Sequence, residues 1–441
     1  MNIHRKRFLL TAGLVGILFC GAVVFMWGRG QVKAAPDDVY KNMEVLAEVL
    51  RHIEKNYVEP REPKDLIYGA IKGMVQSLDA HSAFMTREEH QELMMETKGS
   101  FTGIGIEITI KDRVLTVVSP IEGTPAFEAG LKAADRIISI EDKTTKDMSL
   151  MEAVKLIRGP KGTKVNLTVV REGADKPLKF TMVRDVIPLI SVRKHMLNPE
   201  MGYVRISNFQ SKTGSDLAES LEALENGRQL KGLILDLRNN PGGLLSQAIE
   251  VSELFLEEGV IVSTKARDSS QNIVAKAHPN KAPRNYPIVI LVNGGTASAA
   301  EIVAGALQDN KKALVLGTRT FGKGSVQTIL PLSDGAGLRL TTARYYTPSG
   351  RSIQLDGIVP DIDVDFVPPA DKEEKGPKHT VREADLDRAM PKEKAQEVQP
   401  DKDKNQVLDL DARAKELVEK DNQVRYAMQL LQSWTIFSKI R

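Results

Sequence analysis

Ser298 and Lys323 are the residues whose types and settings could make and break an acyl bond. Ser298 lies in NGGTASAAEI (293–302), between an apolar run, PIVILV, and an alanine-rich segment, VAGALQ. That order reads as strand, glycine turn and helix start. A serine at such a junction caps a helix; it becomes a nucleophile only if a neighbouring group takes its proton. The chain has seven histidines. His195 and His278 share the surrounding stretch, but neither has a glycine-shaped setting, and AHPN around His278 reads as a surface loop. Lys323, in FGKGSVQ, is flanked by Gly322 and Gly324, which permit close backbone approach.

A lysine with an ordinary pKa of about 10.4 cannot serve as a base at neutral pH. Burial disfavours its charged form and lowers that value, toward the range in which a general base is efficient. Lys323, Ser325 and Gln327 fall on one side of a strand, because side chains alternate along it. The Gln327 amide can accept a hydrogen bond from the amine without adding charge. A carboxylate there would hold the lysine protonated. FGKGSVQ alone also fits a surface lysine on a glycine loop.

Acyl transfer further needs donors for a developing oxyanion. Two glycine-rich turns offer backbone N–H groups: RNNPGG (238–243) and NGGTAS (293–298). Helix N-termini carry free N–H groups and a partial positive charge. The amides of Ala299 and of Gly242 or Gly243 are the candidates. Ordinary turning of the backbone would use the same residues.

The elements that must position these groups are βα passages. MGYVRISNF precedes SDLAESLEALEN; KGLILDL meets RNNPGG and then LLSQAIEVSELFL; PIVILV meets NGGTAS and then AAEIVAGALQ. Continuous apolar strands alternating with helices indicate an α/β core covered on both faces, and sites in such cores gather at the carboxyl ends of strands. This unit is expected over 187–368. Residues 36–98 read as helical, with a Thr-x-x-Glu capping box at Thr86 and Glu89. From 369 to 441 a proline- and charge-rich stretch precedes a final helix expected over 407–438.

Residues 99–186 alternate strands with two short helices. Gly103-Ile104-Gly105-Ile106 and GTPAFEAGLKAADRIISI make this segment resemble a PDZ domain. Its physical use would be peptide capture: an extended peptide adds a strand to the sheet edge, and backbone N–H groups of the 103–106 loop hold a terminal carboxylate.

Composition bounds the partners. With 441 residues, several domains are expected. Lys and Arg total 61 against 58 Asp and Glu, a net charge of +3, and aromatics are 5%; neither points to nucleic acid. Cys20 is the single cysteine, so an internal disulfide is impossible, and no HExxH metal motif occurs. MNIHRKR precedes 21 uncharged residues, Phe8–Gly28. A basic flank before such a run directs export, and the run is long enough for a membrane anchor; cleavage near Val32-Lys33-Ala34 is the alternative within 1–35.

The ordered set DLRNNPGG, VNGGTASAAEI and GTRTFGKGSVQ, behind the PDZ-like segment and with LDAHSAFM (78–85) ahead of it, resembles the carboxy-terminal processing peptidases. Thr296 and Ala300 stand where such enzymes often have serine. The resemblance implies a multi-domain α/β protein: a helical N-terminal region, a PDZ domain, and a β/α crotonase-like spiral protease core. It implies Ser298 as nucleophile, Lys323 as general base and Gln327 as its orienting partner, with no cofactor and no metal. It implies protein substrates with apolar C-termini and a place at the extracytoplasmic or periplasmic face of the bacterial cell envelope, held to the inner membrane by the N-terminal segment. An adaptor protein and a homo-oligomer are compatible with it and are decided by no residue. A non-catalytic PDZ scaffold on the same fold is the competing expectation, and a crotonase-like acyl-CoA enzyme a more distant one.

Overall fold

The computed structural model describes residues 37–111, 113–121, 123–279, 283–368 and 412–437. The expected export segment with Cys20, and the charged stretch 369–411, lie outside the described residues. Among the described residues no helix is long and apolar enough to cross a membrane.

The chain divides into two units, 1–73 and 74–441. The first holds α1 (Asp37–Asn56), an amphipathic helix on which Val39, Met43 and Leu46 are exposed, and the start of α2 (Pro63–Gln76). The expected helical stretch 36–98 is broken at 57–62 and again by a strand. The Asp79 carboxylate accepts hydrogen bonds from the backbone N–H groups of His81 and Ser82 and from the Ser82 hydroxyl. This turns the chain into a strand, β1 (Ala83–Met85), whose partners are residues 337–339. The Thr86–Glu89 capping box then starts α3 (Arg87–Lys98), which ends at Gly99 with φ 76°.

The PDZ-like segment contains β2 (Ser100–Gly103), β3 (Ile106–Lys111), β4 (Val114–Pro120), α4 (Pro125–Glu128), β5 (Arg136–Ile140), β6 (Lys143–Thr144), α5 (Leu150–Ile157), β7 (Lys164–Val170), β8 (Leu178–Val183) and β9 (Asp185–Pro188). Its antiparallel sheet has the order β3-β4-β5-β7-β8, with β6 on β5, and β2 pairs separately with β9. Ile104, Val117, Ile137, Val165 and Leu167 fill its core.

The larger core runs through β10 (Val192–Asn198), β11 (Met201–Ile206), α6 (Thr213–Glu225), β12 (Gly232–Asp236), α7 (Leu245–Glu253), β13 (Val260–Ala266), β14 (Ile273–Lys276), β15 (Ile288–Val292), α8 (Ala299–Asp309), β16 (Ala313–Gly317), β17 (Ser325–Pro331), β18 (Gly337–Tyr346) and β19 (Ile362–Asp363). One sheet has the order β10-β11-β12-β15-β16-β19; β10 and β11 are antiparallel and the rest parallel. A second sheet joins β1, β18, β13 and β14, with β17 on β18. β12 and β15 are buried at every position, which is why they read as unbroken apolar runs.

Helices α6, α7 and α8 cover one face of the parallel sheet. The other face is covered by the end of the chain. Residues 412–437 form two helices, α9 (Ala412–Lys420) and α10 (Asn422–Phe437), where one was expected. The break falls at Asp421, whose carboxylate accepts the N–H groups of Gln423 and Val424 and so caps the second helix. Val418, Val424, Ala427, Met428 and Leu431 pack on Met201, Tyr203, Ile234, Val289, Leu291 and Leu316. Each large apolar side chain buried this way contributes roughly 1.5–3 kcal/mol.

Candidate active site

Ser298 ends the turn after β15 and precedes α8. Its backbone has φ 54° and ψ −116°, a left-handed conformation that costs a residue with a Cβ about 1–3 kcal/mol. The surroundings hold it there. The Ser298 N–H donates to Glu301 Oε2 at 2.8 Å, and the N–H of Ala297 donates to the Asn240 carbonyl at 2.9 Å. The Thr296 hydroxyl donates to the Leu237 carbonyl at 2.8 Å, so the threonine in a place often taken by serine still ties this turn to β12.

The turn after β12 is built against it. Asn239 (φ 55°) donates its N–H to Asn293 Oδ1, and Asn293 Nδ2 donates to Asn239 Oδ1. The buried Asn240 amide donates to the Ile206 carbonyl and accepts the Gly242 N–H at 2.9 Å. The Gly242 amide is therefore engaged. Among the described residues, no acceptor takes the N–H of Gly243 or of Ala299. Gly242 has φ 102°, and a Cβ on it would lie 2.8 Å from the Ser298 Cβ. Only glycine permits this approach.

Upstream of that turn, Arg238 bridges the sheet and the C-terminal helices. Its guanidinium donates to both Asp236 oxygens, pairs with Asp421 at 2.8 Å and donates to Gln423 Oε1 at 2.8 Å. Complete burial would raise the Asp236 carboxyl, but the hydrogen bonds and charge of Arg238, helped by Arg205 and Tyr203, hold it below the usual carboxylate range.

Lys323 lies in the loop between β16 and β17, half-buried. Its N–H donates to Glu301 Oε2 at 2.9 Å and that of Gly322 to Glu301 Oε1 at 2.8 Å. The Thr320 hydroxyl also donates to Oε1. Glu301, fully buried on the first turn of α8, thus clasps the backbone of both the Ser298 turn and the Lys323 loop. Burial pushes its carboxyl up to about 7, against the pull of those four donors. Sequence reasoning missed this residue, although its signal was present: SAAE is a Ser-x-x-Glu pattern at a helix start.

Gln327, on β17, donates to Ser325 Oγ and Thr341 Oγ1. Its Oε1 is buried and has no hydrogen-bond partner among the described residues. Tyr345, on β18, hydrogen-bonds the Ser298 side chain; burial pushes its phenol up to about 12, so it stays protonated at neutral pH. No local pattern singled Tyr345 out.

Ser298, Lys323, Gln327, Gly242, Gly243 and Tyr345 line one cavity of about 400 Å³. Leu93, Glu96 and Thr97 of α3 close part of its rim. His278 instead pairs with Glu253 at the surface, and neither it nor His195 lines the cavity. Gly103, Ile104, Gly105 and Ile106 line a different, narrow groove of about 70 Å³ between β3 and α5, with Arg158 at its end. β3 is one of the two end strands of its sheet among the described residues. Gly105 has φ 76°, and a Cβ there would meet the Thr124 side chain at 2.4 Å. Arg158 sits over the Phe101 ring and pairs with Glu92 on α3, so one helix borders both the groove and the cavity.

Residues 200–364 match the model of peptidase family S41, residues 102–182 that of the PDZ domain, and residues 28–89 that of the activating protease CtpB N-terminal domain. The carboxy-terminal-processing protease of Bartonella bacilliformis is 43% identical over 385 residues, 87% of either chain. The carboxy-terminal processing protease CtpA of Bacillus subtilis is 38% identical over 368 residues, 82% of this chain and 78% of that one. The solved photosystem II D1 C-terminal processing protease is 32% identical, with a TM-score of 0.43 over 73% of this chain and 92% of that one. Fold and matches together define a PDZ-bearing serine-type peptidase. The chain belongs to peptidase family S41, among the carboxy-terminal processing proteases.

Proposed function

We propose that this protease acts outside the cytoplasm, captures the apolar C-terminal end of a protein in its PDZ groove and cleaves the chain with a Ser298–Lys323 dyad. The observation that carries the reading is the single cavity holding Ser298, Lys323, the unpartnered Gln327 Oε1 and the Gly243 turn. Neutral Lys323 Nζ takes the proton of Ser298 Oγ, and Oγ attacks the peptide carbonyl carbon. The Ala299 and Gly243 N–H groups receive the oxyanion. Protonated Lys323 gives its proton to the departing amine, leaving an acyl-enzyme. Lys323 then takes a proton from water, whose oxygen attacks the acyl carbon; as the bond from that carbon to Ser298 Oγ breaks, Lys323 returns the proton to Oγ, releasing the acid product and the free serine. Gln327 Oε1 orients the amine without adding charge.

The location rests on the basic flank and apolar run of residues 1–35. The free edge of β3 supports strand addition by the substrate terminus, beside the 103–106 loop. Purified protein should cleave an unstructured peptide with an apolar C-terminus, and Ser298→Ala should lower kcat by on the order of 10³-fold or more. Lys323→Arg should be as inactive, because a guanidinium stays protonated. Equal turnover by wild type and Ser298→Ala would sink the serine mechanism.

A further inference from the structure

Arg238 stands at one end of the glycine turn that faces Ser298, and its environment goes well beyond what a strand terminus needs. Its backbone is held twice: the N–H donates to Asp236 Oδ1 at 2.9 Å, and the carbonyl accepts from Arg205 Nη2 at 3.1 Å. Its side chain is held from both sides. Asp236 belongs to β12, within the sheet; Asp421 and Gln423 belong to the junction of α9 and α10, 183 and 185 residues further along the chain. Gln423 is fastened in turn through its Nε2 to the Val364 carbonyl, just past β19. Tyr203 and Arg205 complete the set on Asp236. Two carboxylates face two guanidiniums, so the cluster is electrically balanced only while α10 is docked. The next residues are those that engage the catalytic turn: Asn239 on Asn293, Asn240 on the Ala297 N–H, and Gly242 against the Ser298 Cβ.

We propose that Arg238 is a positioning residue for the oxyanion turn, and that Asp421 conveys the docking of the C-terminal helices to that turn. The C-terminal helices thereby serve the reaction as well as the core. This inference rests on the peptidase reading above. It requires that losing the Asp421 charge loosen residues 238–243 even where α10 stays folded and packed.

The test uses the full-length protein and four substitutions. Asp421→Asn keeps an acceptor for the Gln423 and Val424 N–H groups, so the helix cap survives, but it removes the charge facing Arg238. Its kcat should fall at least tenfold with KM changed less than about twofold, and amide exchange over 238–243 should speed up. Asp421→Glu, which restores the charge, should recover most of both. Met428→Ala removes buried packing from α10 without touching the pair; it should lower Tm while leaving kcat and the exchange of 238–243 near wild type. Ser298→Ala, measured alongside, tests the peptidase reading by itself, and the exchange readout does not depend on catalysis. Unchanged kcat and unchanged exchange in Asp421→Asn would overturn the proposal. So would an equal loss in Met428→Ala, which would make the effect one of stability alone.

Discussion

Glu301 carries more of the site's geometry than any other single side chain. Its two oxygens take four hydrogens, from Ser298, Gly322, Lys323 and Thr320, inside a fully buried pocket. The Thr320 oxygen itself accepts from the Ile358 N–H, so the Thr320 proton is committed to Glu301. The pH dependence follows with a definite sign. The carboxyl sits near 4.5 when unperturbed and is pushed up to about 7 in the fold. Its contribution to stability is thus fully present below about 4.5 and is lost as pH rises through about 7. The geometry it serves behaves oppositely, since only the ionised group can accept from all four donors. Glu301→Gln cannot titrate. Melting curves from about pH 5 to about pH 8 should show wild type losing stability relative to Glu301→Gln, while kcat of the variant at pH 8 falls at least about tenfold. A wild-type-minus-variant Tm difference that stays flat over that range would show that Glu301 does not titrate there. Glycine neighbours and strand alternation are local signals, and they made Ser298, Lys323 and Gln327 candidates; their roles came from the resemblance of the three ordered motifs to the processing peptidases. Tyr345 and Arg238 could not be picked out in this way, because their meaning lies in partners brought close only by folding.

At the scale of elements, the two turns after β12 and β15 form one object, joined through Asn239–Asn293, Asn240–Ala297 and Thr296–Leu237. Gly242 is its tightest point. Gly242→Ala would force a Cβ to within 2.8 Å of the Ser298 Cβ at φ 102°. The expected result is a loss of about 10²-fold in kcat, the scale of a disrupted oxyanion site, with substrate KM little changed; steady-state kinetics on one peptide checks it. These turns were visible in the sequence as glycine clusters after apolar runs. The strand β1 was not. Three residues are too few for alternation to show, and the Asp79 turn that sets them up resembles the end of a helix.

In the whole molecule, α3 touches both the PDZ groove and the candidate cavity: its Glu92 pairs with Arg158 of the groove, and its Leu93, Glu96 and Thr97 line the cavity. An empty PDZ groove and an occupied one can therefore favour different settings of that helix. Gly105→Ala strains the groove loop against Thr124 and lies outside the candidate cavity. Two peptides of identical body, one with a free carboxylate and one amidated, should then be cleaved with nearly equal kcat/KM, whereas wild type should favour the free acid by about tenfold or more. If the wild type already ignores the difference, recognition does not run through the 103–106 loop. The α/β alternation and the PDZ pattern were readable because each repeats a simple period over many residues. The role of 412–437 was hidden behind a long charged stretch, and nothing in a single amphipathic segment says which sheet it will cover.

That last layer has a consequence for how the protein is made. Every strand of the central sheet is synthesised before its second cover. A chain halted at residue 411 would hold finished strands with Met201, Tyr203, Ile234, Val289, Leu291 and Leu316 facing water, a surface suited to clumping with its neighbours. It would also lack the carboxylate that balances Arg238. The newborn molecule is at its stickiest until residues 412–437 arrive to cover that face.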